Sequence, residues 1–325
     1  MYLAKEFFQK LMRMRFQLLV LPLILCMMPM ALSGNTTLSL DKSGFAVFSD
    51  MPVDSVGYSD LQMREEMDFI LYLVGRGDLD EGLFLLEGLR PAGEKWRDSL
   101  NYLTGWVLYR QKNLDASAGF LLSVSCESPV YHKSHFFGAY NLAHTGDHAG
   151  AGAVLSSMSL ERGKMLAAMK RLQLGGLALL ARDFDGYSVQ ARHFSGQYHV
   201  MAAEERRMEQ HHAGLRDAPG KSPWIGGLLS AAVPGLGRVY AGKSAEGIVG
   251  FLYVAALGLT SYDIYRGTGA RNPLFILSAS VTGVFYVGNI LGSATAVRRT
   301  NKEFNHEMDQ RILFDMHIPL RNAFN

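Results

Sequence analysis

The sequence predicts an all-α chain, a helical-repeat solenoid followed by a transmembrane helical hairpin. Three observations carry this prediction. Polar turns recur between apolar stretches at intervals of 35, 34 and 36 residues, a spacing that suits stacked pairs of helices. Two later apolar runs are each long enough to cross a bilayer. The composition is 48% hydrophobic and 19% charged over 325 residues, which is more apolar and less charged than an average soluble chain.

The elements follow in chain order. Lys5, Lys10, Arg13 and Arg15 against Glu6 give the first fifteen residues a charge of +3, while the whole chain carries only +2. The rest is near neutral, so a nucleic-acid partner has no electrostatic footprint. Residues 1–33 read as a signal peptide, with a basic start, an apolar stretch from Leu18 to Met30, and small residues Ala31 and Ser33 at the −3 and −1 sites. Leu25 stands before Cys26, where a lipoprotein signal needs a small residue. An uncleaved anchor helix is the competing reading. Either way residues 34–59, read as an irregular exported segment, and the chain after them are expected outside the cytoplasm. Cys126 would then be the sole cysteine, expected as a buried small hydrophobe on a helix.

Residues 60–200 hold the repeats. The turns are Gly77-Asp78-Leu79-Asp80, Lys112-Asn113-Leu114-Asp115, Gly146-Asp147-His148 and Arg182-Asp183-Phe184-Asp185. Asp78, Asn113, Asp147 and Asp183 suit the start of the helix that follows, because their side chains can accept from its first free N–H groups. On the flanks, Met67, Ile70, Leu71 and Val74 share one helical face, as do Leu79, Leu83 and Leu86. A single hairpin cannot bury such a face, so the units are expected to stack. Gly105, Ser117 and Pro129 around Asn113, Leu174-Gly175 before Asp183, and Ala151 after Asp147 resemble the tetratricopeptide repeat family. Gly82 and Tyr187 depart from it, standing where a small helix former is usual. The resemblance implies a groove that binds a peptide or a partner protein. His132 and His135, His144 and His148, and His211-His212 lack a third ligand at metal spacing, and all are expected to be solvated. No metal or other cofactor is expected.

Residues 201–222 read as a polar helical linker closed by Ala218-Pro219-Gly220. A membrane domain follows over 223–300. It comprises a short apolar helix at 224–233, too short to span, a glycine loop at 234–244, and membrane helices at 245–262 and 273–297. Within it, Gly237 to Ser244 satisfy the nucleotide P-loop pattern G-x-x-x-x-G-K-[ST]. A working P-loop needs a preceding strand and a parallel sheet, whereas these flanks read as membrane. The same loop, with Pro234, Gly235, Gly237, Tyr240 and Gly242 followed by Gly247, resembles small two-transmembrane-helix domains with a Pro-Gly-x-Gly…Tyr-x-Gly loop. That resemblance implies a membrane module without an active site.

In the second span Ala279 and Gly283 are four apart, as are Gly288, Gly292 and Ala296, and these form ridges of small residues for close helix packing, with Asn289 among them bonding inside the bundle. Residues 301–325 read as a polar tail, whose part from Thr300 to Leu313 suits an amphipathic helix on the membrane surface. A two-helix hairpin returns this tail to the repeat side. Arg298, Arg299 and Lys302 oppose that side by the positive-inside rule, and Arg266 and Arg271 favour it.

The function expected from these readings is a non-enzymatic, exported, membrane-anchored scaffold of a bacterial envelope. It would bind an envelope protein or peptide through the repeats and lipid through the hairpin, in an oligomeric state the sequence leaves open. The alternatives are a subunit of a membrane transport or insertion complex in which the hairpin is the active part, and a P-loop NTPase.

Overall fold

The computed structural model describes residues 60–90, 94–159, 163–218 and 220–324. The signal peptide and the irregular exported segment lie outside the described residues. Every regular element among those described is helical. In chain order the α-helices are α1 (Asp60–Arg76), α2 (Leu79–Leu89), α3 (Arg97–Arg110), α4 (Leu114–Leu122), α5 (Tyr131–Thr145), α6 (His148–Ser157), α7 (Lys164–Leu180), α8 (Phe184–Ala191), α9 (Ala202–Arg216), α10 (Pro223–Ala232), α11 (Leu236–Tyr240), α12 (Ser244–Thr268) and α13 (Pro273–Phe324).

Helices α1 to α8 form four hairpins whose turns share one geometry. Each turn begins with a residue in the left-handed region, at Gly77 (φ 102°), Lys112 (φ 66°), Gly146 (φ 99°) and Arg182 (φ 59°). The next residue is Asp78, Asn113, Asp147 or Asp183, whose N–H donates back to the carbonyl of Leu73, Leu108, Leu142 or Ala178 respectively. This backward bond satisfies an orphan carbonyl at the helix end. The carboxylates of Asp147 and Asp183 then accept from the N–H of Gly150 and Gly186, each at 2.8 Å. Asp78 and Asn113 hold the same backbone without a side-chain cap.

Consecutive helices from α1 to α8 pack on one another. Small residues set the spacing. A Cβ on Gly105 would come within 2.7 Å of Leu121 Cγ, and one on Gly138 within 2.6 Å of Leu122 Cδ2. Ser117 Oγ donates to Gly105 O at 2.6 Å, and Asn141 Nδ2 donates to Ser117 Oγ at 2.9 Å, tying α3, α4 and α5 through buried polar groups. Nine and six residues before its turn, α5 places Gly138 and Asn141 against α4. At the equivalent places α1 carries Phe69 and Tyr72, 50% and 59% exposed, since no helix precedes α1 among the described residues.

Four expectations change here. Residues 202–216 are no linker, because α9 packs on α7, α8 and α13 and buries Glu204, Glu205, Met208, His211 and Leu215. The histidines are not all solvated. His211 is buried, the His212 ring stacks on Tyr187 at 4.7 Å, and His132 and His135 each bury an Nδ1. Burial lowers the pKa of His135, with His132 adding to the effect and a hydrogen bond to the Tyr131 backbone opposing it. The large Tyr187 at a small-residue position is explained by this lid, since α9 rather than another hairpin covers it. Cys126 is exposed in the turn region between α4 and α5, not buried on a helix. Finally, the tail is not a separate polar element, because α13 runs unbroken for 52 residues from the second apolar run to Phe324.

Helices α12 and α13 are both long and apolar enough to cross a membrane. The first extends to Thr268, six residues past the expected end, and turns through Gly269 (φ 80°) into α13. Their outward faces expose Ile248, Leu252, Leu259, Leu277, Val284 and Leu291, as a lipid-facing surface requires.

Candidate functional site

The last third of α13 lies against the hairpins. Met308, Ile312, Leu313, Met316 and Leu320 recur at helical spacing, and all are buried in one core with Phe136, Phe137, Met169, Leu172 and Leu180. The hairpin surface is shaped to receive them. A Cβ on Gly176 of α7 would come within 2.5 Å of Met316 Sδ. Phe324 packs its ring near those of Phe136 and Phe137, at 5.9 and 6.4 Å.

Polar contacts fix the register of this helix. Gln173 Nε2, itself buried, donates to Met316 O at 2.7 Å. Arg182 pairs with Asp309 at 2.7 Å. Asp315 is 4% exposed and takes Arg207 Nε at 2.8 Å and His211 Nε2 at 2.7 Å, while Arg207 also holds Glu204. A carboxylate so far out of water needs such partners. His317 shares a hydrogen bond with the Tyr109 hydroxyl and stacks on Tyr140 at 5.1 Å. Burial lowers the His317 pKa, and the nearby Arg321, Lys112 and His144 lower it further. Burial likewise raises Tyr109 and Tyr140, and holds Tyr102 at about 12. Its environment thus disfavours the imidazolium, and the ring lies among those of Tyr109, Phe137 and Tyr140.

Sequence reasoning assigned the stretch up to Leu313 to a membrane surface and left the rest as tail. The signal was present in the four-residue spacing of Met308, Ile312, Met316 and Leu320. It named an apolar face without naming what covers it.

The second feature is the loop before α12. Helix α10 descends beside α13, with Gly226 near Val297, Gly227 near Ile290 and Ala294, and the Tyr286 hydroxyl donating to Ala231 O. Pro234-Gly235 turns the chain and α11 climbs back. Only glycine fits there. Gly235 has φ 85°, and a Cβ on it would lie 2.0 Å from Gly247 O, while one on Gly237 would lie 1.9 Å from Gly226 O. Gly247 is equally confined, with Val239 Cγ2 at 2.6 Å from its would-be Cβ. Gly242 ends α11 with φ 91°. The Tyr240 hydroxyl accepts from Ser222 N–H at 3.2 Å, pinning the start of α10.

Two N–H groups of this turn, those of Gly235 and Gly237, are satisfied by side chains. Gly237 N–H donates to Ser230 Oγ at 2.9 Å, and Ser230 donates to Ser293 Oγ at 2.7 Å. Asn289 Oδ1 accepts from Gly235 N–H at 3.1 Å. Asn289 therefore bonds inside the bundle.

The ridges of small residues are only partly the contact face. Asn289 and Gly292 face the bundle, and Ala279 and Ala296 are partly buried. Gly283 and Gly288, however, have open space where a Cβ would go. The actual interface follows Thr282, Asn289, Ser293 and Val297, with Thr282 bonded to Ser261 at 2.9 Å. Several residues of the P-loop pattern are taken up in this packing. The N–H of Gly237, Gly242 and Lys243 donate to Ser230 Oγ, Val239 O and Arg238 O. The pattern lies between helices, and no strand occurs among the described residues.

No family model, no curated protein and no solved structure matches this chain.

Proposed function

We propose that this chain is a non-enzymatic adaptor, anchored in a membrane of the bacterial envelope, with tetratricopeptide-like hairpins that hold a helix of a partner protein. The observation that carries this reading is the docked end of α13. The face made by α5, α7 and α9, with Tyr109 of α3, receives an amphipathic helix through a stripe of Met, Ile and Leu and a buried acid facing Arg207 and His211. Such a surface suits a partner helix with the same pattern, and its methionines tolerate exchange of one occupant for another. The chain's own tail holds the site until a partner displaces it. The signal-like start of the chain supports an exported repeat domain, with the membrane hairpin returning α13 to that side.

The test is photocrosslinking in cells from a probe at Trp106, which packs on Tyr109 and Phe137, the residues that meet His317. The adaptor reading requires a discrete protein adduct. That adduct should intensify in Leu320→Asp, which weakens the tail's hold. Adducts only within the chain itself, in both proteins, would sink it.

One observation favours a second reading, in which the hairpin is the active part of a membrane complex. Because α13 is continuous from the bilayer to the groove, a tilt of the span moves the docked end directly. Replacing residues 223–297 by an unrelated hairpin while keeping 298–324 separates the two readings. The adaptor keeps its function and the membrane machine loses it.

A further inference from the structure

Arg238 on α11 has no acidic partner within ion-pair distance among the described residues. A guanidinium carries five N–H donors, and the bond it makes here is long, from Nη1 to the carbonyl of Glu246 at 3.4 Å. The group nevertheless sits in a defined place. It lies between α12 and α13, and both helices carry glycine beside it. A Cβ on Gly250 would stand 3.2 Å from Nη1, and one on Gly292 would stand 3.0 Å from Nη2. The two glycines form a slot for the guanidinium, which remains partly exposed.

The depth of this slot can be read along α13. The apolar part from Pro273 to Val297 is about 37 Å long at a 1.5 Å rise, against a hydrocarbon core of about 30 Å. Each end thus reaches about 3–4 Å into the headgroup layer. Gly292 is five residues below Val297, about 7–8 Å at that rise. The slot therefore lies just inside the hydrocarbon boundary, within reach of a phosphate above it. The same end of the bundle carries Lys221, Lys243, Arg298 and Lys302, none of them in a described ion pair, while Arg299 is taken by Glu303. Lys221 belongs to this level because its carbonyl accepts from Asn301 at 2.8 Å. Around the slot the outer faces of α12 and α13 expose Val249, Phe251, Leu252 and Leu291, a surface for an acyl chain.

We infer that the slot is a binding site for the phosphate of an anionic phospholipid in the repeat-side leaflet. Arg238 donates to the phosphate oxygens as a fork, the geometry that distinguishes arginine from lysine. The surrounding lysines and Arg298 enrich anionic lipid near the slot. A lipid fits better than free phosphate because the site combines a phosphate ligand with an apolar flank. The inference does not depend on what the hairpins bind.

The test uses the purified full chain in a neutral detergent, titrated with phosphatidylglycerol, phosphatidylcholine or inorganic phosphate, with retained lipid counted by native mass spectrometry. The wild type should prefer phosphatidylglycerol to phosphatidylcholine by about tenfold or more, as a charge-assisted hydrogen-bonded pair implies. Arg238→Gln should abolish the preference and Arg238→Lys should weaken it. Arg299→Gln, with the same charge change outside the slot, should keep it. The site is overturned if the wild type shows no preference, a result that requires no variant to fold. It is also overturned if Arg299→Gln loses as much as Arg238→Gln. Inorganic phosphate stabilising the protein as much as phosphatidylglycerol at equal concentration would overturn the lipid assignment.

Discussion

Replacing Gly237 by alanine tests whether the glycine loop is a packing device. The added Cβ would stand 1.9 Å from Gly226 O, roughly 1.6 Å inside the ~3.5 Å at which non-bonded atoms attract. The closest atom is backbone and cannot swing away, and Ser230 Oγ stands at 2.7 Å behind it. Relief requires α10 and α11 to separate. That motion stretches the Gly237 N–H bond to Ser230 at 2.9 Å and then the Ser230–Ser293 bond at 2.7 Å. Overpacking costs about 1–3 kcal/mol, and two weakened buried hydrogen bonds add about 1 kcal/mol each. A loss of about 3–5 kcal/mol is expected. The assay is equilibrium unfolding of the purified full chain in mixed micelles, followed by helix content. Gly288→Ala is the matched control, because its Cβ meets open space, and it should stay within about 0.5 kcal/mol of wild type. A Gly237→Ala loss below about 1 kcal/mol, or equal losses in both variants, would refute the reasoning.

The other predictions concern the hairpins and the docked tail. Asp315→Ala leaves Arg207 and His211 without their shared acid. It should cost about 2–4 kcal/mol, set below a fully buried pair because Arg207 is 38% exposed, and hydrogen exchange should rise selectively over 305–324. His317 has a pKa below its ordinary value of 6.5, so the unfolded form binds more protons and stability falls as pH drops through 6.5 toward the folded pKa. His317→Gln should flatten that acid limb relative to wild type, measured by melting temperature against pH. Tyr187→Phe should be neutral or stabilising, since the buried hydroxyl has no partner among the described residues, whereas Tyr187→Ala should cost about 3–5 kcal/mol on thermal unfolding. Asp147→Ala should cost about 1 kcal/mol by losing the bond to Gly150, and Asn113→Ala less, because its side chain caps nothing.

Much of the helical layer was legible because its signals are local. The turn residues Asp78, Asn113, Asp147 and Asp183 all stand at helix starts, although only Asp147 and Asp183 use their side chains as caps. The short helix at 224–233 and the two long apolar runs were also readable, since length and composition suffice. The small-residue ridge on α13 was half right for a related reason. Spacing groups Ala279 with Gly283, and Gly288 with Gly292 and Ala296, on different sides of the helix, but only the position of α11 and α12 decides which group meets a neighbour. Arg238 was invisible as a site, because its slot needs Gly250 and Gly292 from two other helices.

The sequence by itself determined that the described chain is helical, where the hairpins turn, and which helices are long and apolar enough for a membrane. These follow from backbone preferences and from periodicity within single segments. Only the tertiary structure decided where the end of α13 goes and why α9 is not a linker. An apolar stripe states that a face must be covered and carries no address for its partner. The address came from complementary features far away in the chain: the gap at Gly176, the amide of Gln173, and the Arg207–His211 pair that receives Asp315.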